Sequence, residues 1–104
     1  MTGANAAREL RLHIPHEHRC YADHFPGAPL VPGALLLKWI MKLLAEAGCG
    51  RTNYLKQVKF LAPVHPGAEL RICITGTADA SAFTIAAYRG ETLVLKGQLG
   101  CVDD

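Results

Sequence analysis

Leu35 to Leu44 is the segment that most limits how this chain can fold. Leu35, Leu36, Leu37, Trp39, Ile40, Met41, Leu43 and Leu44 are apolar, and only Lys38 and Lys42 interrupt them before Glu46. Those three polar residues recur at i, i+4 and i+8, which makes one narrow stripe on a helix. Pro32-Gly33 suits a helix start, and Gly48 and Gly50 are stop signals. The spacing predicts a helix from Gly33 to about Ala47. A helix that is apolar round nearly its whole circumference must be wrapped by other structure.

The rest of the chain supplies the wrapping. Glu9 to Ile14 alternates, with Leu10, Leu12 and Ile14 on one face and Arg11 and His13 on the other, which predicts a first strand. Tyr54 to Leu61 is a second strand candidate, closed by Pro63. Glu69 to Thr77 follows the Pro66-Gly67 turn, with Leu70, Ile72 and Ile74 alternating. Ser81 to Arg89 and Thr92 to Val102 are set apart by short turns at Asp79-Ala80 and Gly90. The expected architecture is α+β: a curved antiparallel sheet wrapped around one central helix.

At 104 residues the chain is expected to be a single domain over 1–104. A chain this short buries a modest fraction of its surface, so pairing with a second copy would help it. Pairing edge to edge would also hide the open sheet edges. The formal charge is +2 and the eleven basic residues are scattered, so there is no nucleic-acid footprint. A few basic residues could still meet an acidic carrier protein. No apolar run approaches the roughly 20 residues of a membrane span. Met1 to Arg8 is followed by no apolar signal region. Cys20, Cys49, Cys73 and Cys101 show no paired spacing and suit reduced thiols. A cytoplasmic location is the expectation.

His24-Phe25-Pro26-Gly27-Ala28-Pro29-Leu30-Val31-Pro32-Gly33 precedes the helix. Three prolines fix φ and two glycines permit φ > 0, so the backbone is expected to hold one irregular path. It carries a histidine, which moves protons near pH 7. It ends where a helix start offers unpaired N–H groups to a carbonyl oxygen. Those are the parts of an acid/base site.

This pattern strongly resembles the signature of 3-hydroxyacyl-[acyl-carrier-protein] dehydratases, hotdog-fold enzymes of fatty-acid synthesis. The stretch Val58 to Leu70, with Pro63-Val64-His65-Pro66-Gly67, is similar to a second segment of that family. The resemblance covers roughly Ile14 to Val102. It implies loss of water from a 3-hydroxyacyl thioester to give the trans-2-enoyl thioester, with no metal or redox cofactor. It implies His24 as the base at C2 and the Gly33 amide as donor to the thioester oxygen. Phe25, Pro32 and Trp39 are the implied substrate-lining residues. The implied partners are an acyl carrier protein or coenzyme A thioester and a second subunit, since the family builds its site across a dimer. A homodimer is expected, with a heterodimer as the alternative.

One position departs from the family. Five residues after the Pro-Gly glycine the family places Glu or Asp, which helps the hydroxyl leave; here the residue is Lys38. An ammonium can donate a hydrogen bond but cannot accept and return a proton as a carboxylate does. Three readings follow. The chain is a divergent dehydratase using Lys38 or water. Or it is half of a heterodimer, like the small dehydratase-like proteins of aryl-polyene-type pathways, and meets a carboxylate from another subunit. Or it binds acyl thioesters without turnover or performs another hotdog reaction such as thioester hydrolysis.

Other residues have blander readings. His13, His16 and His18 match no standard zinc spacing and straddle a strand end, so their side chains should diverge. His65 suits a solvated turn. Trp39 and Met41 suit core packing as well as an acyl tunnel. Lys38, Lys42 and Glu46 suit a solvated stripe.

Overall fold

A computed structural model describes residues 7–18, 31–76 and 82–102. Five strands and one helix follow in the order β1 (Ala7–His13), α1 (Gly33–Glu46), β2 (Arg51–Phe60), β3 (Glu69–Gly76), β4 (Ala82–Arg89) and β5 (Thr92–Val102). The strands form one antiparallel sheet in the order β1-β3-β4-β5-β2. This is the α+β hotdog architecture expected of the pattern. The expected Asp79-Ala80 turn lies outside the described residues.

Alternation decides which face of the sheet meets the helix. Leu70, Ile72 and Ile74 of β3, Ile85 and Ala87 of β4, and Leu95 and Leu99 of β5 are all buried. Their neighbours Arg71, Cys73, Thr84, Lys96 and Gln98 face outward. Register carries this face across the strands: Leu12 stands opposite Leu70, Leu10 opposite Ile72, and Ile72 opposite Ala87. Leu36, Ile40 and Leu44 of α1 complete the core. They lie four residues apart, so they make one stripe along the helix.

Coverage of the helix is one-sided within the chain. Leu35, Leu37, Trp39, Met41 and Leu43 are only partly buried, and Ala34, Lys38, Lys42 and Glu46 are exposed. The apolar circumference of α1 is thus wrapped less fully by its own sheet than the sequence expects.

Two local devices fix the ends of α1. At its C-terminus Arg8 reaches over from β1, with Nη1 3.1 Å from the Ala47 carbonyl oxygen and 3.4 Å from Cys49 Sγ. The last turn has no basic residue of its own, so Arg8 supplies the positive charge that a helix C-terminus favours. At its N-terminus the Val31 N–H donates to the Val64 carbonyl at 2.8 Å, which ties the helix start to the chain after β2.

The sheet is not regular along β2. Its pairing with β5 shifts between Thr52 and Tyr54 and between Lys56 and Lys59. At the second shift Gln57 and Val58 stand against Gly97, and Gln57 adopts φ 56°. This is a β-bulge. Gly97 has no side chain because Val58 lies over it: a Cβ there would stand 2.9 Å from Val58 Cγ2.

Candidate active site

The helix start and the chain after β2 enclose an apolar groove. Val31, Pro32, Gly33 and Leu36 form one wall, and Phe60 to Val64 form the other, around about 460 Å³. The second wall is held to the sheet at two points. Leu61 N–H donates to the Val94 carbonyl at 2.8 Å, and Arg89 donates to the Pro63 carbonyl.

Gly33 is the first residue of α1, after Pro32 at the cap position. The first intrahelical bond runs from the Leu36 N–H to the Pro32 carbonyl at 3.0 Å. The N–H groups of Gly33, Ala34 and Leu35 therefore have no helical carbonyl behind them. Among the described residues no side chain caps this end, and no carboxylate stands in its first turn. The helix start thus keeps its donors and its partial positive charge for a guest in the groove. An oxygen that gains negative charge during a reaction is the guest such an end suits.

Pro32 lines the groove beside Gly33. Trp39 does not: it lines a separate hollow of about 190 Å³ with Leu12, His13, Pro15, Lys42, Leu43 and Glu46. The His18 ring meets the Trp39 ring edge-on, with centroids 5.6 Å apart. Lys38 is exposed and lies outside the groove formed by its own chain. Helix geometry explains this, since five residues from Gly33 carry it about 7.5 Å along the axis and about 140° round it. His24 and Phe25 lie outside the described residues, as does Cys20.

The other histidines diverge only in part, because the His13 and His16 rings meet edge-on with centroids 6.3 Å apart. His13 Nδ1 meets Glu69 Oε2 on the outer face, His16 packs beside Gly67, and His18 turns to Trp39. Sequence reasoning overlooked Phe60, whose half-exposed ring covers Gly33. Its place at the end of a strand, just before the Pro63 turn, was the available signal.

Known proteins resemble the chain on three counts. A family model for ApeI-like dehydratases matches residues 2–98. A 3-hydroxyacyl-[acyl-carrier-protein] dehydratase FabZ from Thermomicrobium roseum is 30% identical, with 70% of this chain and 62% of that protein covered. The chain spans about three fifths of the length of such curated relatives. Among solved structures, the dehydratase heterocomplex ApeI:P from Xenorhabdus doucetiae superposes with TM-score 0.75 at 21% identity, covering 96% of this chain and 90% of that one. A fluoroacetyl-CoA-specific thioesterase, FlK, superposes with TM-score 0.71 at 12% identity, covering 95% and 85%. At such identities the structural likeness shows the fold, and the fold serves more than one reaction.

Proposed function

The chain belongs to the ApeI-like dehydratase family, and from that premise we propose that it acts on 3-hydroxyacyl thioesters by removing water. His24 takes the C2 proton. The electrons move toward the thioester carbonyl, and the Gly33 N–H holds the oxygen as it becomes an enolate. The C2–C3 double bond then forms as the C3 hydroxyl leaves, taking a proton from an acid to depart as water. The products are a trans-2-enoyl thioester and water, with no net redox change. The observation that carries this reading is Gly33, the uncapped first residue of α1, lining an apolar groove. The acyl group is delivered on a carrier protein or coenzyme A, and the reaction belongs to the cytoplasm.

A second reading concerns the acid. Lys38 is exposed and lies outside the groove of its own chain, which supports a reading in which this position serves another subunit's site. An ammonium there cannot play the carboxylate's part, and the carboxylate for His24 must come from the partner. In a homodimer that partner also offers Lys38; a different dehydratase-like chain can offer Glu or Asp. The solved dehydratase heterocomplex supports this reading by analogy of fold.

The test is formation of enoyl thioester from 3-hydroxyacyl carrier protein by the purified chain, beside His24→Ala. Loss of the general base should cost about 10²-fold or more. Turnover that survives His24→Ala removes His24 from the mechanism. No turnover from a folded protein overturns the first reading and favours the second.

A further inference from the structure

At one end of the outer face of the sheet, charges of opposite sign meet. Glu9 of β1 lies 3.2 Å from Arg11 and 3.7 Å from Arg71, and Glu69 of β3 meets His13. At the other end the pattern reverses. Lys59 of β2 stands directly opposite Lys96 of β5, and both are exposed. Like charges placed so destabilise a strand pair. Among the described residues no carboxylate pairs either lysine.

The backbone beside the two lysines is unusual as well. Gln57 holds φ 56° in the bulge, a conformation that a glycine holds freely and an L-residue rarely adopts. Bulges re-aim side chains beside sites, and strain of this kind collects where a site uses it. Here the bulge opens a hollow of about 400 Å³. Lys59, Lys96, Thr84, Gln57 and Gln98 line it, with Val58 and Gly97. The polar groups are ammoniums, amides and a hydroxyl. Every one of them donates hydrogen bonds, and none carries negative charge.

A hollow of donors with two facing cations suits an anion of more than one charge. A phosphate monoester carries about −1.5 to −2 at pH 7 and offers three acceptor oxygens. Lysine serves phosphate as a point charge. The volume also leaves room for the organic remainder of an ester beside Val58 and Gly97. We propose that this hollow binds a phosphate monoester. Lys59 and Lys96 hold the phosphoryl oxygens, and Thr84, Gln57 and Gln98 donate around them. Binding relieves the repulsion between the two lysines. The site lies on the sheet face turned away from α1 and takes no part in the proposed dehydration.

The probes are inorganic phosphate and glycerol 3-phosphate, titrated into the nitrogen-labelled chain and followed by amide NMR, with ionic strength held constant by sodium chloride. Shifts should localise to residues 57–59, 84 and 96–98 and saturate with a Kd on the order of 1 mM. Glycerol 3-phosphate should bind at least as tightly as inorganic phosphate. Lys59→Gln and Lys96→Gln should each weaken binding about tenfold, the worth of one charge-assisted hydrogen bond. Lys56 is the control: it is exposed on the same strand and does not line the hollow. Lys56→Gln should change binding by less than about twofold, since solvent and salt screen a charge outside the site. Shifts that do not saturate, or that spread over all the lysines, overturn the proposal. So does a loss in Lys56→Gln equal to that in Lys59→Gln, or weaker binding of the ester than of inorganic phosphate. Should a lysine variant fail to fold, Thr84→Val should weaken binding about threefold; unchanged binding overturns the site. The readout is binding, so neither outcome bears on the dehydration proposed above.

Discussion

The Phe60 ring lies against the backbone of Gly33, and a Cβ built on that glycine would stand 2.9 Å from Phe60 Cζ. Glycine is needed at this position for space. The contact joins the helix start to the end of β2, and those two segments make the walls of the groove.

Gly33→Ala should therefore fold, with Phe60 swung aside. Alanine gains up to about 1 kcal/mol over glycine inside a helix, and less in the first turn. Overpacking typically costs about 1–3 kcal/mol. A net loss of about 1 kcal/mol is expected from urea denaturation. In a Phe60→Ala background the same substitution should be neutral or stabilising. Additivity of the two substitutions would show that the contact is not made.

Arg8 should matter to the helix more than an exposed arginine usually does. Arg8→Ala removes the donor at the Ala47 carbonyl and should lower stability by about 0.5–1 kcal/mol. Arg8→Lys should restore part of this. The difference should shrink in high salt, as thermal melts would show.

The bulge makes a signed prediction. Gln57 holds φ 56°, which costs an L-residue about 1–2 kcal/mol and a glycine little. Gln57→Gly should leave stability equal or raise it by up to about 1 kcal/mol. Gln57→Val, β-branched in the same conformation, should lower it by about 1–2 kcal/mol. A Gly variant less stable than the Val variant would contradict the bulge.

Legibility in the sequence followed the physics that sets each feature. Alternation and the Pro and Gly punctuation are local, so all five strands and α1 were readable to within a few residues at their ends. The bulge was not, because Gln57 is no glycine and only pairing with Gly97 demands its positive φ. Arg8 could not be placed by its type, since its target is a carbonyl 39 residues away. Trp39 shows the limit of a helix read as a cylinder. It shares the apolar face with Leu36 in sequence, yet its own turn of the helix points it to a different hollow. The place of Pro32 and Gly33 was legible because Pro-Gly marks the helix start. Lys38 was legible as an exception, and its exposure agrees with the solvated stripe that its spacing predicts.

Lys38→Glu should be tolerated by the fold. The substituted side chain stands four residues before Lys42, the favourable order for a helix ion pair, and replaces a like-charge pair. A gain of a few tenths of a kcal/mol is expected from denaturant titration.

The proposed function makes Lys38 the decisive position, since it stands where the family's carboxylate would stand. The most direct measurement is enoyl-thioester formation by wild type, Lys38→Glu and Lys38→Glu/His24→Ala, at high protein concentration so that copies pair. Lys38→Glu should exceed wild type by about 10²-fold, within the range for a positioned acid, and adding His24→Ala should abolish the gain. A folded Lys38→Glu protein that turns over no faster than wild type would contradict that reading of Lys38.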